Sequence, residues 1–269
     1  MDLTLNIVLL GTLLVMIAIA VLLIRNSSAQ GRQKDLLKRK NVDLTNLDAK
    51  KNEFLSLATH QIRSPLTSIK WGLDSLKEKF SIETVNHMLL TTEDLISTVN
   101  DILDISKIEQ GGMPIKKEEF DIHDFIGRLV EEFRMTAEKK GLRITFSGDN
   151  VSCFIISDQN KIRQVFVNLI DNAIKYTKTG QVDVTFKKME KVAVIEVKDT
   201  GPGIEPRELS ELFDKFLRGK AGKESAGGSG LGLYLAKKIT VALGGNISAH
   251  SEGLGKGSTF RVQLPLRGA

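Results

Sequence analysis

Cysteine is almost absent. Cys153 is the only one in 269 residues, so no disulfide can close within the chain, and a reducing compartment suits it. Histidine is nearly as scarce: His60, His87, His123 and His250 lie far apart, and no spacing among them suggests a structural zinc site. Prolines number five, yet one of them, Pro65, stands five residues after His60 inside the helix-patterned stretch FLSLATHQIRSPLTSI. A proline inside a helix costs about 3 kcal/mol through a lost hydrogen bond and a ring clash. Tolerating it there implies that the surroundings of His60 are shaped. A basic binding face is the last absence. The formal net charge is +5, but residues 25–51 hold eight basic side chains against three acidic ones, which accounts for the whole excess. The remainder is neutral overall, so nucleic acid is not an expected partner.

What is present is the composition of a folded chain, 41% hydrophobic and 26% charged, with room for one or two ordinary domains plus extensions. Residues 7–24 carry no charge, and Thr12 is their only polar side chain. Eighteen apolar residues rise about 27 Å, near the hydrocarbon thickness of a bilayer. The basic collar that follows, against Asp2 alone on the other side, places what comes after in the cytoplasm. The expectation is one uncleaved, single-pass anchor over 1–25 in the cytoplasmic (inner) membrane, with the C-terminal domains in the cytoplasm and no extracellular sensor domain. A cleaved signal peptide is the alternative. It fits less well, because the segment before the apolar run has no Lys or Arg and the run exceeds the usual length.

Residues 26–52 read as a cytoplasmic helical linker. Leu37, Leu44, Leu47, Phe54 and Ala58 fall on heptad spacing with Lys40 and Lys51 interrupting the seam, a marginal parallel coiled coil or a solvated amphipathic helix. The helical pattern continues through His60 to about Lys77. A second helix spans roughly 82–109, and Gly111-Gly112 ends it. Two amphipathic helices joined by a short turn cannot bury their apolar faces alone. Residues 53–110 are therefore expected to dimerise as a helical hairpin into a four-helix bundle. From residue 113 strands and helices alternate. Strands are predicted near 114–119, 142–147, 153–157, 181–187, 192–198 and 258–264, and helices near 122–140, 158–177 and 229–243. The fold class is α+β: an N-terminal transmembrane helix, the dimeric hairpin, then an α/β sandwich over 113–269. The glycine-rich stretch 219–230 reads as a flexible loop or lid.

Four clusters in this last domain fit a nucleotide site. Asn168 and Asn172, at i,i+4, share a helix face with Lys175 one turn on. An amide oxygen suits Mg²⁺ and a lysine suits a phosphate, although a solvated face would look the same. DTGPGI at 199–204 follows an apolar strand; its glycines permit a tight turn and close ligand approach, and Asp199 offers a carboxylate to an exocyclic amine. GSGLGL at 228–233 opens a helix whose N-terminus can face a phosphate. GKGSTF at 255–260 leads into the final strand and would serve equally as a hairpin turn. Phe213, Phe216 and Arg218 lie between the second and third clusters.

Each cluster is ambiguous, but their order is not. Together they resemble the Bergerat-type ATP-binding domain of sensor histidine kinases of two-component signalling systems, and ATHQIRSPL around His60 resembles that family's phosphoacceptor helix. The resemblance covers residues of about 30–267. It implies that His60 accepts the ATP γ-phosphoryl group, that Asn172 holds Mg²⁺ with Asn168 in support, and that Lys175 and Tyr176 contact phosphates or base. Asp199 would read adenine, and Arg218 would approach the γ-phosphate. Gly201, Gly203, Ile204, Gly228, Gly230, Leu231, Gly232 and Thr259 would shape the pocket and lid. It further implies a homodimer, an ATP-dependent protein-histidine kinase, and transfer to an aspartate of a cytoplasmic response regulator.

Two positions depart from the family pattern. Gln61 stands where an acidic residue is common, and its amide can polarise the imidazole only as a neutral acceptor. Ser64 replaces the Thr or Asn associated with dephosphorylating the partner, keeping a hydroxyl on the His60 face. Gln61 also leaves open a second reading, a membrane scaffold that binds nucleotide without phosphorylating. Chaperones, topoisomerases and mismatch-repair ATPases share the ATP fold but lack the HxxRxPL helix.

Overall fold

The computed structural model describes residues 54–216 and 229–267, together with Met16, Lys38, Thr45, Ala49 and Asn52, all five helical. The expected anchor and linker otherwise lie outside the described residues, as do Arg218 and Gly228. Among the described residues no helix is long and apolar enough to cross a membrane. The chain divides into two units, Met1–Leu57 and Ala58–Ala269. In the first, residues 54–57 are helical.

In the second unit, helix α1 covers 58–78 and continues through Pro65 without a break. A short turn leads to α2, Ile82–Glu109. The Ser81 side chain caps it by accepting from the Thr84 N–H at 3.2 Å, which satisfies one of the orphan donors of a first turn. Glu83 in the first turn and Lys107 in the last complement the helix dipole. Gly111, at φ 74°, takes the left-handed conformation that ends it. These bounds match the helices predicted from periodicity.

Beyond α2 come β1 (Glu118–Asp121), α3 (Ile122–Lys139), β2 (Leu142–Gly148), β3 (Phe154–Ser157), α4 (Gln159–Tyr176), β4 (Gly180–Lys188), β5 (Val192–Asp199), α5 (Pro206–Leu209), α6 (Gly232–Ala242), β6 (Asn246–His250) and β7 (Ser258–Pro265). β1 and β3 pair antiparallel. The other five strands form one mixed sheet in the order β2-β4-β5-β7-β6, parallel only between β2 and β4. The predicted β4–β5 hairpin is present, with Val184 opposite Val197 and Phe186 opposite Ile195.

Alternation decides which face is covered. Ile144, Val182, Val184, Phe186, Ile195, Val197, Val262 and Leu264 are buried on one face, against α3, α4 and α6. Thr145, Asp183, Glu196 and Arg261 occupy the other, where Thr145 donates to Asp183 at 2.7 Å and Arg261 to Glu196 at 2.6 Å. From the helices come Phe125, Ile126, Leu129, Phe166, Leu169, Ile170, Leu235 and Ile239, all buried. Capping sets the two longer helices at this depth. Asp121 accepts from the His123 N–H at 3.0 Å and Asp158 from the Lys161 N–H at 3.0 Å.

Two predictions needed correction. β1 begins four residues later than expected. β6 was not anticipated at all: it is a five-residue edge strand whose only fully buried side chain is Ile247, too little apolar alternation to announce itself. His123 is half-buried against the rings of Phe146 and Phe186, 5.2 and 5.1 Å away between centroids.

Candidate functional site

The end of β5 and the last turn of α4 face each other across a cleft of about 230 Å³. Asp199, the last residue of β5, is 5% exposed. One of its carboxylate oxygens accepts from the Gly201 N–H at 2.8 Å, and the other accepts from the Ser258 hydroxyl. Register explains the second contact, since Asp199 lies opposite Ser258 in the β5–β7 ladder. A folded loop pair fixes both. Ser251 Oγ accepts from the Ile204 N–H at 3.0 Å and donates to the Gly257 carbonyl at 2.7 Å. Gly203, at φ +72°, lies so close to the neighbouring loop that a Cβ there would sit 2.0 Å from the Gly253 carbonyl oxygen, which only glycine permits.

From α4, Asn168, Asp171, Asn172, Lys175 and Tyr176 line the cleft. Asn168 donates to the Gly232 carbonyl at 3.2 Å, tying α4 to the start of α6. Lys140 donates to the Ile174 and Lys175 carbonyls, each at 2.6 Å, and so holds the C-terminal turn of α4 from outside. Gly203, Ile204, Ser229, Gly230, Gly232, Leu233 and Phe260 complete the walls.

Nine of the residues singled out from sequence thus line one cavity: Asn168, Asn172, Lys175, Tyr176, Asp199, Gly203, Ile204, Gly230 and Gly232. Gly201 sits directly behind the Asp199 carboxylate. Leu231 is fully buried and contributes to the core. Thr259 falls on the opposite face of β7 from Ser258, whose hydroxyl is the one that meets Asp199. His60 and Ser64 are exposed on α1 and Gln61 is half-buried; among the described residues, none from α1 lines the cleft.

Sequence reasoning missed the fourth wall. Asp94, Ser97, Thr98 and Asp101 of α2 border the same cavity. Ile105 is fully buried one turn further on. Asp104 accepts from Gln164 at 2.9 Å and pairs with Lys161 at 3.5 Å. Glu109 accepts from Tyr234 at 3.3 Å and pairs with Lys215. Nothing in the periodicity of α2 indicated that its C-terminal half packs on the domain that follows it.

Carboxylates on this wall are perturbed. Burial, then the neighbouring Asp104, pushes Asp101 up to about 6, against a smaller downward pull from the Ser229 hydroxyl. Burial also raises Asp171, opposed by Lys175 and helped by Asp94. A carboxyl whose folded-state value is raised binds its proton more tightly when folded. Asp101 therefore costs stability above about pH 6, and that cost fades as pH falls toward the unfolded value. We expect Asp101→Asn to raise the melting temperature at pH 7.5, by about 1 kcal/mol of stability, and to lose about half of that advantage by pH 5 and most of it by about pH 4. Equal melting temperatures at pH 7.5 would show that the α2 wall is not strained by this charge.

The residues present fit a purine nucleotide. A buried carboxylate can take an exocyclic amine proton, and Ile204, Leu233 and Phe260 offer apolar surface to a planar base. Asn172 and Lys175 supply an amide oxygen and a cation beside them. Thr177 Oγ1, fully buried next to this floor, has no hydrogen-bond partner among the described residues. Among the described residues no cluster of three or more His, Cys, Asp or Glu could cage a metal ion; a hard cation here would need ligand oxygens as well.

Comparison with known proteins agrees with this geometry. Residues 157–268 match the family of histidine kinase-, DNA gyrase B- and HSP90-like ATPases, and residues 50–111 match the His Kinase A (phospho-acceptor) domain. The autoinducer 2 sensor kinase/phosphatase LuxQ of Vibrio vulnificus is 37% identical over 229 residues, covering 80% of this chain; the chain spans 26% of that protein's length. The histidine kinase AdeS of Acinetobacter baumannii superposes with a TM-score of 0.65 at 25% identity, over 77% of this chain and 98% of that one. Full-length ShkA, solved with AMPPNP, superposes with a TM-score of 0.60 at 27% identity, over 81% of this chain and 46% of that one.

Proposed function

Because this chain belongs to the sensor histidine kinases, carrying a phosphoacceptor domain followed by the family's ATPase domain, we propose that it phosphorylates its own His60 from ATP and passes the phosphoryl group to an aspartate of a response regulator. The observation that carries the proposal is the cleft floor, where Asp199, Gly203, Asn168, Asn172 and Lys175 come together from two separate stretches of sequence. Asp199 reads the adenine amine, Lys175 faces the phosphates, and Asn172 would help to hold Mg²⁺, which when bound would supply positive charge against the phosphates. In the reaction an imidazole nitrogen of His60 forms an N–P bond while the bond between the γ-phosphorus and its bridging oxygen breaks, releasing ADP. The second transfer moves the phosphoryl group to a carboxylate oxygen and restores the imidazole. Arg218 serves as a charge stabiliser in the first step.

His60 is exposed on α1, away from the cleft, so the ATP domain must reorient to deliver the γ-phosphate. The same exposure suits a partner's carboxylate. Apolar side chains unsupported within one chain, among them Trp71 at 70% exposure and Phe80 at 74%, support pairing of α1 and α2 with a second copy as a four-helix bundle. The apolar run at 7–24 supports a single-pass membrane anchor with the catalytic domains in the cytoplasm. Ser64 keeps a hydroxyl one turn from His60, compatible with dephosphorylation of the partner.

The test is direct. Incubated with γ-labelled ATP and Mg²⁺, the full chain takes up label that is stable to alkali and lost in acid, the signature of an N–P bond. A chain that binds ATP but takes up no label would instead be a scaffold. Gln61→Glu is expected to label several-fold faster, since hydrogen bonds to charged groups are worth about 1.5–3 kcal/mol against about 1 for neutral ones. An equal or slower rate would mean that residue 61 does not polarise the imidazole.

A further inference from the structure

Lys140 follows α3, and its side chain reaches the C-terminal end of α4. Its ammonium donates to the Ile174 and Lys175 carbonyls, each at 2.6 Å. The carbonyls of a helix's last turn have no partner within the helix. These two bonds therefore close the turn, beside the one that the Ala173 carbonyl accepts from the Thr177 N–H at 3.2 Å. A cation at a helix C-terminus also complements the dipole. Lys140 stands outside the cleft, which Asp171 and Lys175 line, yet the three charges feel one another. Burial pushes the Lys140 ammonium down, Asp171 pulls it back up, and Lys175 pushes it down again. Lys175 is thus repelled from the outer side of the turn and attracted by Asp171, one turn earlier on the same helix. α3 grips α4 near its start as well, where the Arg163 guanidinium donates to both Glu132 carboxylate oxygens at 3.0 and 2.5 Å.

On the reading of the cleft as a nucleotide site, we propose that Lys140 is a positioning residue for phosphoryl transfer, fixing the last turn of α4 so that the Lys175 ammonium is held toward the nucleotide phosphates. A lysine ammonium is a point charge on a flexible stem, so where it rests depends on the backbone that carries it. Lys175 is one residue from the end of α4, and Thr177, at ψ 118°, has already left the helix. Without Lys140 this turn frays, because two carbonyls lose their donor together, and one of them belongs to Lys175 itself. Misplacing a binding group by about 1 Å can cost as much as about 10²-fold. Lys140 touches no substrate and acts through Lys175.

The experiment measures equilibrium binding of ATP and of adenosine, which has no phosphates, to the full chain and to Lys140→Met, Lys140→Arg, Arg163→Met, Lys175→Met and the double variant Lys140→Met/Lys175→Met. Melting temperatures confirm that each folds. Lys140→Met should lose about tenfold for ATP and stay within about twofold for adenosine. In the Lys175→Met background the same change should cost ATP less than about twofold, the non-additivity of one residue acting through another. A through-space effect of the Lys140 charge on the phosphates would persist in that background. Lys140→Arg keeps a cation with several donors for the two carbonyls and should bind ATP within about threefold of the native chain. Arg163→Met removes the other tie between α3 and α4, so a merely structural loosening would weaken ATP binding there too; the expected result is a lower melting temperature with ATP affinity unchanged. Unchanged ATP binding in Lys140→Met, equal losses for ATP and adenosine, or an undiminished loss beside Lys175→Met would overturn the assignment while leaving the nucleotide site intact. Failure of the native chain to bind ATP would overturn both.

Discussion

His60→Ala is expected to reduce incorporation of acid-labile phosphate from γ-labelled ATP to background, a loss of at least about 10³-fold, with nucleotide affinity unchanged within about twofold. The size follows from its proposed role as acceptor. Removing the nucleophile in a covalent mechanism removes the reaction, and neighbouring groups do not substitute for it. The unchanged affinity follows from position. His60 is exposed on α1, and none of the described residues lining the cleft comes from that helix. No other histidine offers itself as a replacement. His87 and His250 are exposed on α2 and β6, and His123 is packed between two phenylalanine rings. Both measurements are needed, since a variant that lost label together with ATP affinity would have failed in the ATP domain. Persistent acid-labile label in His60→Ala would mean that another nitrogen is the acceptor, and the reading of α1 would fall.

His60 also shows how much of this molecule was legible in advance. Its helix, the turn after it and α2 were readable because apolar side chains recur at 3.6-residue spacing over long stretches. The five strands rich in Val, Ile and Phe were readable by alternation. β6 was not, because an edge strand with a single fully buried side chain, Ile247, carries almost no periodic signal. In the cleft, the residues that local motifs bring to the cavity wall were found. Those placed by register or by tertiary packing were missed. Ser258 meets Asp199 because the β5–β7 ladder sets them opposite, and its neighbour Thr259 looked equally suitable in a linear reading. Asp94, Ser97, Thr98 and Asp101 line the cavity because α2 folds back on the ATPase domain, and that fold-back rests on isolated contacts such as those of Asp104 with Lys161 and Gln164. Pro65 was expected to stand inside a continuing helix, and α1 runs through it. A proline costs a helix one hydrogen bond, and here the turn on either side holds, with Thr67 donating to the Arg63 carbonyl at 2.9 Å.

Asp199→Asn should separate recognition from folding more sharply than any other single change. The carboxylate is buried and divides its two oxygens between the Gly201 N–H and the Ser258 hydroxyl. Asparagine satisfies both: its oxygen accepts from Gly201, and its amide donates to Ser258, whose oxygen accepts in turn. The melting temperature should therefore change little. Asp199→Ala, by contrast, strands both partners in the interior, at about 1–3 kcal/mol for each unsatisfied group, and should melt well below the native chain. For the nucleotide the two variants are alike. The adenine amine is a donor, so it needs an acceptor with an unused lone pair, and in Asp199→Asn it meets an amide that also donates. Loss of a hydrogen bond to a charged group is worth about 1.5–3 kcal/mol, or roughly 10- to 150-fold in ATP affinity. Phosphate incorporation at sub-saturating ATP should fall by the same factor and recover partly as ATP is raised, because the phosphate end of the cleft, with Asn172 and Lys175, is untouched. Calorimetry of ATP binding beside thermal melts decides the matter. If Asp199→Asn binds ATP within about threefold of the native chain, this carboxylate does not read the base, and the cleft floor built around it has another purpose.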